Sequence, residues 1–231
     1  MLALFPEGFE EAERGSELEL SAYTDAGGEE RARADFGSVL TTAVTPDWEE
    51  RWKRFHRPLR VGSLWVGPPW EEPPAGAVAV KIDPGRAFGT GAHPTTRLCL
   101  ELLVDLPRAS LLDVGCGSGV LAIAAAKLGF SSVIAVDRDE AAVEAAARNT
   151  ALNGVDADIR RLDALADPLP SARIAVANIS EQVVEAVAER LSCELLVTSG
   201  YFEPYVPSLA GFRRLRRRTL EGWAADLHHR E

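Results

Sequence analysis

The sequence predicts an α/β protein built on a mostly parallel, doubly wound sheet. From about residue 78 onward, short apolar runs alternate with helical stretches, which is typical of strands buried on both faces. The first of these runs leads into a glycine-rich turn, and the second ends at an acidic residue, Asp137. Open α/β sheets bind ligands beyond the carboxyl ends of their strands, so both features also indicate where a site would lie.

The elements of this part can be predicted one by one. Gly129 and Gly154 each follow a helical stretch and predict its C-terminal end, and Asp139 predicts an N-cap. The predicted strands cover residues 111–114, 133–136, 158–162, 173–178 and 194–199, and the predicted helices cover 120–128, 140–153 and 181–191. Residues 212–230 lack helix caps and predict a closing antiparallel hairpin around Glu221-Gly222.

Two further parts precede the sheet. The first, residues 1–45, predicts a small α+β domain. Its elements are a period-2 strand pattern over 17–23, a charged, helix-permissive stretch over 28–36 and a β-branched run over 38–44. Residues 46–77 are rich in tryptophan and proline and predict a linker that opens with a short helix capped by Asp47. The main domain is then expected over residues 78–231.

The charge is concentrated near the start of the chain. The formal net charge is −10, and residues 1–50 carry thirteen acidic side chains against three arginines. Such a segment would repel nucleic-acid phosphates and could attract a basic protein, although a solvated acidic surface is an equally simple interpretation. Five arginines within residues 213–218 could instead contact the phosphates of an RNA substrate, an alternative that the acidic segment disfavours.

Several protein classes are excluded by composition. The most apolar stretch, residues 111–136, is interrupted by Asp113 and Lys127, so no membrane span is predicted. No charged segment followed by an apolar run opens the sequence, which predicts a cytoplasmic protein. The three cysteines, Cys99, Cys116 and Cys193, are far apart and form no metal-binding pair. Neither a disulfide framework nor a metal site is therefore expected.

The glycine-rich turn has the sequence DVGCGSG over residues 113–119. A dinucleotide fingerprint needs a third glycine where Val120 stands, so the turn does not match that class. An acidic residue beside the loop, Asp113, suits the cationic amino-acid part of S-adenosylmethionine. Asp137 ends the next strand and could accept hydrogen bonds from ribose hydroxyls. The pattern predicts an S-adenosylmethionine site; a glycine turn with a purely structural role is the alternative.

A second glycine-rich segment, DPGRAFGTGAHPTT over residues 83–96, predicts a loop that could close over a ligand. Pro94 fits the first turn of a following helix. Thr95 and Thr96 would then offer hydroxyls and free amides at the helix N-terminus, which suits a carboxylate. His93 stands alone, without a second histidine at ligand spacing, so a role as base or metal ligand is weakly supported.

Asn178 follows the predicted strand 173–178 at the position from which an amide could face a transferred methyl group. Its carbonyl oxygen could accept a hydrogen bond from a substrate amine and orient the nitrogen lone pair. The alternative is that Asn178 caps the helix beginning at Glu181.

Residues 46–200 resemble the bacterial ribosomal protein L11 methyltransferase family. The resemblance is carried by DW…WK at 47–53, by DPG…FGTG…HPTT at 83–96, by LDVGCGSG at 112–119 and by ANI at 177–179. The FGTG-x-H-x-TT loop is the most specific of these motifs, whereas the glycine loop is shared by class I methyltransferases generally.

The resemblance implies a seven-stranded, Rossmann-like class I methyltransferase sheet and a small ferredoxin-like N-terminal domain that recognises the substrate. It implies S-adenosylmethionine contacts at Thr96, Gly115, Asp137 and Asn178, to which the residues themselves add Asp113 and Gly117. Asn178 is the candidate catalytic residue. The expected reaction is transfer of methyl groups to lysine or other amino groups of ribosomal protein L11. A different protein or small-molecule acceptor, and a non-catalytic cofactor-binding module, remain alternatives.

Two positions depart from the family pattern. The family usually has an apolar residue where this sequence has Ser180. Residues 8–44 correspond to only the last four elements of the family's N-terminal βαββαβ unit. Either Met1 is not the natural start or the substrate-recognition domain is reduced.

Overall fold

The computed structural model describes residues 10–14, 17–21, 24, 26–41, 58–83 and 93–231. The chain divides into two compact units, Met1–Trp52 and Lys53–Glu231. The division falls within the predicted linker. Each unit is described by itself.

The first unit contains a hairpin of β1 (Glu10–Arg14) and β2 (Glu17–Ser21), followed by α1 (Ala26–Phe36). The sequence predicted a strand where β2 lies and a helix where α1 lies. Of the strand predicted over 38–44, residues 38–41 are not in a strand and the rest lie outside the described residues. The helix predicted from Asp47 also lies outside them.

The second unit holds ten strands and four helices among its described residues. The strands are β3 (Leu59–Val61), β4 (Leu64–Gly67), β5 (Val78–Lys81), β6 (Ser110–Val114), β7 (Ser132–Asp137), β8 (Asp158–Arg161), β9 (Ile174–Asn178), β10 (Leu195–Phe202), β11 (Phe212–Leu220) and β12 (Trp223–Arg230), of which β3 to β5 form a separate small sheet. The helices are α2 (Pro94–Leu103), α3 (Val120–Lys127), α4 (Glu140–Asn153) and α5 (Glu181–Arg190).

The ten strands described in the second unit belong to two sheets. Three of them form the small sheet and seven form the main sheet, in the order β11-β12-β10-β9-β6-β7-β8. Neighbours from β10 to β8 pair in parallel, and β12 pairs antiparallel with both β10 and β11. The predicted doubly wound, seven-stranded α/β sheet is therefore confirmed.

The main sheet is covered on both faces, which explains its continuous apolar strands. Along β6, Leu111 packs into one hydrophobic core and its neighbour Leu112 packs into the other. Successive side chains of a strand point to opposite faces, so one apolar run supplies both cores. The parallel strands β6, β7, β8 and β9 end at a common edge, where the loops that follow them meet.

The segment predicted as a linker contributes strands. Val61, Leu64 and Val66, together with Val80, are buried in the same core as Leu111. The prolines of this segment stand outside β3, β4 and β5, where they do not remove a strand hydrogen bond. Residues 59–61 and 64–67 therefore form strands that were not predicted, because both strands are short and stand among prolines.

The closing hairpin lies where it was predicted. Glu221 and Gly222 form its two-residue turn with φ values of 51° and 80°, the positive values that such a tight turn requires. The five arginines of β11 each lie within 4 Å of a carboxylate. The pairs are Arg213–Glu231, Arg214–Asp226, Arg216–Asp105, Arg217–Asp226 and Arg218–Glu101. Four carboxylates of the fold thus lie close to the five positive charges of the arginine run.

Candidate cofactor and methyl-transfer site

The loop after β6 needs glycine for two reasons. Gly115, Gly117 and Gly119 have φ values of 71°, 53° and 80°, in the left-handed region that side chains disfavour. A Cβ on Gly115 would also lie 2.5 Å from the Ile179 side chain. The loop is held against β7 because the amide of Gly115 donates to the Val136 carbonyl at 2.9 Å. Its backbone is therefore open to a close approach by a ligand.

Asp137 holds the loop that follows β6 and the loop that follows β7. One carboxylate oxygen accepts a hydrogen bond from the amide of Gly117 at 3.0 Å, and the other accepts from the amide of Asp139 at 3.0 Å. Each carboxylate oxygen can accept a second hydrogen bond. Asp139 in turn caps α4 by accepting from the amide of Ala141 at 3.0 Å, as predicted.

A cavity of about 540 Å³ opens at this edge of the sheet. Four successive strand ends contribute to its wall: Gly115 and Gly117 after β6, Asp137 at the end of β7, Asp163 after β8 and Ile179 after β9. The volume lies in the usual range for small-molecule and cofactor sites. The structure thus brings three predicted residues, Gly115, Gly117 and Asp137, to one cavity.

Asp113 lies outside the wall of that cavity. It is only 1% exposed, and its Oδ2 accepts a hydrogen bond from the amide of Ala122 at 3.1 Å, which ties β6 to α3. Its Oδ1 has no hydrogen-bond partner in the structure. Burial raises the pKa of Asp113 to about 7, against the opposing effect of the Ala122 hydrogen bond. A direct cofactor contact at Asp113 stays a prediction.

The start of α2 differs from the expectation of free amides. His93 is the N-cap residue, and its Nδ1 accepts from the amide of Thr95 at 3.3 Å. The amide of Thr96 donates to the His93 carbonyl at 3.0 Å. Both amides therefore already donate a hydrogen bond within the chain. The His93 ring acts as the helix N-cap, a role that a short polar side chain usually has. The glycine-rich loop at 84–92 lies outside the described residues, so its closure remains a prediction.

Asn178 and Thr96 come together although they are 82 positions apart in the sequence. The Asn178 amide nitrogen and the Thr96 hydroxyl are 3.5 Å apart, and this nitrogen donates to that oxygen. The residue that precedes α5 is Ser180, so the interpretation of Asn178 as the helix cap is wrong. Asn178 immediately precedes Ile179 of the cavity wall, whereas Asn178 and Thr96 do not themselves line the cavity.

The cavity wall also contains residues that were not singled out from the sequence. Asp163 follows β8 and places a second carboxylate in the wall, and Ile179 and Ser180 follow β9. The signal for Asp163 was present, because a strand was predicted up to residue 162 and ligand sites lie just beyond such strand ends.

Within the ranges given above, the structure contains no group of three or more histidine, cysteine or acidic residues arranged to hold a metal ion. In the same part of the chain, no helix has the length and apolar character needed to cross a bilayer.

Comparison with known proteins decides the family. The sequence model of the ribosomal protein L11 methyltransferase family (PrmA) matches residues 6–203. The chain belongs to the ribosomal protein L11 methyltransferase family. A family member from Neisseria gonorrhoeae is 38% identical over 226 residues, which cover 91% of this chain and 75% of that protein. Another from Caldanaerobacter subterraneus subsp. tengcongensis is 48% identical over 139 residues, covering 58% of this chain and 45% of the relative.

The family's fold agrees with the structure described above. The crystal structure of a ribosomal protein L11 methylase from Lactobacillus delbrueckii subsp. bulgaricus superimposes with a TM-score of 0.68 and 28% identity, covering 76% of this chain and all of the other. Against the Caldanaerobacter family member, the matched segment spans about half of the relative's length, namely 45%.

Proposed function

We propose that this chain is an S-adenosylmethionine-dependent methyltransferase that methylates amino groups of ribosomal protein L11. The observation that carries the proposal is the single cavity formed by the glycine loop, Asp137, Asp163 and Ile179 in a member of this family. Lysine side chains are the proposed acceptors, and the cytoplasm is the proposed location.

The residues around the cavity fit S-adenosylmethionine. The glycine loop exposes backbone at a site where a side chain would collide with Ile179. Asp137 and Asp163 give the wall two carboxylates, which complement a ligand that carries hydroxyl donors and positive charge. When bound, this cofactor supplies an activated methyl group on a sulfonium.

The role of the protein in such a transfer is mainly positioning. Thr96 holds the Asn178 amide nitrogen, so the Asn178 carbonyl oxygen is the atom that can accept a hydrogen bond from an acceptor amine. The amine must be neutral to react. From the usual lysine pKa near 10.4, only about one molecule in 2,500 is neutral at pH 7, equivalent to roughly 4.6 kcal/mol. Desolvation at the site would lower that pKa, so a strong base is not required.

Substrate recognition is proposed for the first unit. Residues 1–45 are the expected recognition domain, and their acidic side chains suit a basic ribosomal protein. The catalytic part is proposed for Lys53–Glu231, which includes the two strands found in the predicted linker, β3 and β4.

The test is a methylation assay on ribosomal proteins. The purified chain is incubated with methyl-labelled S-adenosylmethionine and a ribosomal-protein extract, and the label is located by mass spectrometry. Asn178→Ala and Asp137→Ala serve as variants of the site, and Asp158→Ala serves as a surface control. We expect label on lysine residues of ribosomal protein L11 with the wild type and the control.

The alternatives have distinct outcomes. Label on a different protein would mean that the chain is a methyltransferase with another acceptor protein. Cofactor binding without any transferred label would favour a non-catalytic binding module. Failure to bind the cofactor at all would contradict the proposed function itself.

A further inference from the structure

Strand β10 contains a bulge beside Asn178. Its pairing with β12 shifts register between Ser199 and Tyr201, which leaves Gly200 without a counterpart on β12. Gly200 has a φ of 101°, a backbone conformation that residues other than glycine rarely adopt. Bulges re-aim neighbouring groups and are frequent next to active sites. In the parallel pairing with β9, Ser199 lies opposite Asn178.

The bulge accommodates the backbone of Ile179. A Cβ on Gly200 would lie only 2.1 Å from the Ile179 carbonyl oxygen, so the two chains approach closely because Gly200 has no side chain. The Ile179 amide donates to the Ser199 carbonyl at 3.0 Å. On its other side, the Ile179 side chain fills the space that a Cβ on Gly115 would need. Ile179 is thus held between two glycines.

A buried hydrogen-bond network keeps the bulge in shape. The Tyr201 hydroxyl lies 2.7 Å from the Thr198 hydroxyl and donates to Asp226 Oδ2 at 2.9 Å, which joins the two ends of the bulge to β12. Arg217 donates to the same carboxylate oxygen at 3.0 Å. Thr198, Tyr201 and Asp226 are almost completely buried, and hydrogen bonds in such a low-dielectric environment are strong and hold these side chains in place.

We propose that the Gly200 bulge positions Asn178 for methyl transfer by fixing the backbone of Ile179. The inference rests on the proposed function and adds Gly200, with Tyr201 as its support, as positioning residues. Asn178 is bonded through its backbone to Ile179, so a shift of the Ile179 carbonyl would turn the Asn178 amide away from the acceptor.

The test compares Gly200→Ala with Gly129→Ala. Gly129 also has a positive φ, 88°, but a Cβ there would meet nothing within 4 Å, so this control introduces backbone strain without a collision. Two measurements are made on each variant. One is kcat for methyl transfer alongside the cofactor Kd from calorimetry. The other is the NMR signal of the Asn178 side-chain amide, assigned by its loss in Asn178→Ser.

We expect Gly200→Ala to shift the Asn178 amide signal and to lower kcat about tenfold or more relative to Gly129→Ala, because small displacements of a positioning group are costly. The cofactor Kd should rise less than kcat falls, because the substitution leaves Asp137 and the glycine-loop residues in place and reaches the cavity only through Ile179. An unchanged Asn178 signal, or a loss of cofactor affinity as large as the loss of kcat, would overturn the proposal.

A second pair of variants covers the case in which Gly200→Ala does not fold. Tyr201→Phe removes the hydroxyl that closes the bulge, and Tyr205→Phe removes one that contacts Glu185 instead, at 2.9 Å. Only Tyr201→Phe should move the Asn178 signal and lower kcat; equal behaviour of both would overturn the proposal. If the wild type methylates no ribosomal protein, the proposed function fails, and the Asn178 signal alone still decides the positioning role.

Discussion

At the scale of single residues, the two aspartates around the glycine loop have different environments. Asp137 lies in the cavity wall and already orders Gly117 and Asp139, whereas Asp113 is buried behind the loop and bonded to the start of α3. The sequence interpretation treated both as cofactor ligands. In the structure Asp137 lines the cavity and Asp113 does not, and a cofactor contact at either residue stays a prediction.

Replacing Asp137 should therefore weaken cofactor binding. Asp137→Ala removes both the acceptor atoms in the cavity and the hydrogen bond that holds Gly117. We expect Kd for S-adenosylmethionine to rise about tenfold to a hundredfold by calorimetry, the usual effect of losing hydrogen bonds to a charged group. Asp158→Ala, on the surface of β8, is the control. Equal affinity of wild type and Asp137→Ala would show that this carboxylate does not hold the cofactor.

Asp113 should make stability depend on pH. Because the pKa of Asp113 is about 7 in the folded chain, above its ordinary value of 3.8, the folded state keeps a proton that the unfolded state releases. Its contribution to stability falls as the pH rises from about 4 to about 7. In Asp113→Asn this loss is absent, so the variant should gain stability relative to wild type between about pH 5 and pH 8. The free energies of unfolding of both proteins are measured in urea at pH 5 and at pH 8. A difference between the two proteins that is the same at both pH values would contradict the prediction.

At the scale of elements, the β11–β12 hairpin is fastened to β10 by a buried charge. Asp226 is fully buried, and the partly buried Arg217 donates to it at 3.0 Å and to the carbonyls of Glu203 and Tyr205 at 2.7 Å. Burial raises the pKa of Asp226, and the Tyr201 hydroxyl and Arg217 oppose that rise. The arginine run thus contains one structural residue among more exposed ones.

Arg217→Leu should cost much more stability than Arg213→Leu. Removing Arg217 leaves the buried Asp226 carboxylate without its closest cation, which typically costs about 3–5 kcal/mol. Arg213 and its partner Glu231 are both well exposed, and such a pair contributes about 1 kcal/mol or less. The free energies of unfolding in urea provide the comparison. Similar losses for the two variants would mean that Asp226 is stabilised by other groups.

At the scale of the whole molecule, the second unit has the means to fold by itself. The hydrophobic cores found among the described residues consist of side chains from Lys53–Glu231, and the cavity lies entirely within that unit. The first unit carries much of the negative charge of the chain. Cofactor binding and acceptor recognition are therefore expected to be separable.

A fragment of residues 53–231 should unfold cooperatively and bind S-adenosylmethionine within about threefold of the full chain, because a compact unit with its own core can fold alone. It should lose methylation of ribosomal protein L11, for which residues 1–45 are the proposed recognition domain. Calorimetry and the labelling assay measure the two properties. Full methylation by the fragment would place acceptor recognition in the second unit instead.

Local patterns were sufficient for much of this fold. The apolar runs, the caps at Asp139 and Gly154 and the turn at Glu221-Gly222 are short-range features, and the structure has each of them where it was predicted. Strands β3 and β4 were not predicted, because they are short and lie among prolines, and their stability comes from packing in a core formed with distant residues.

The sequence by itself determined the order of strands and helices from α2 to β12, the glycine loop and the acidic residue that ends β7, because each depends on neighbouring residues. Only the tertiary structure decided which side chains reach the cavity, that Thr96 meets Asn178, and that Ile179 lies between Gly115 and Gly200. These contacts join residues far apart in the chain, and their geometry depends on the packing of the sheet rather than on any local pattern.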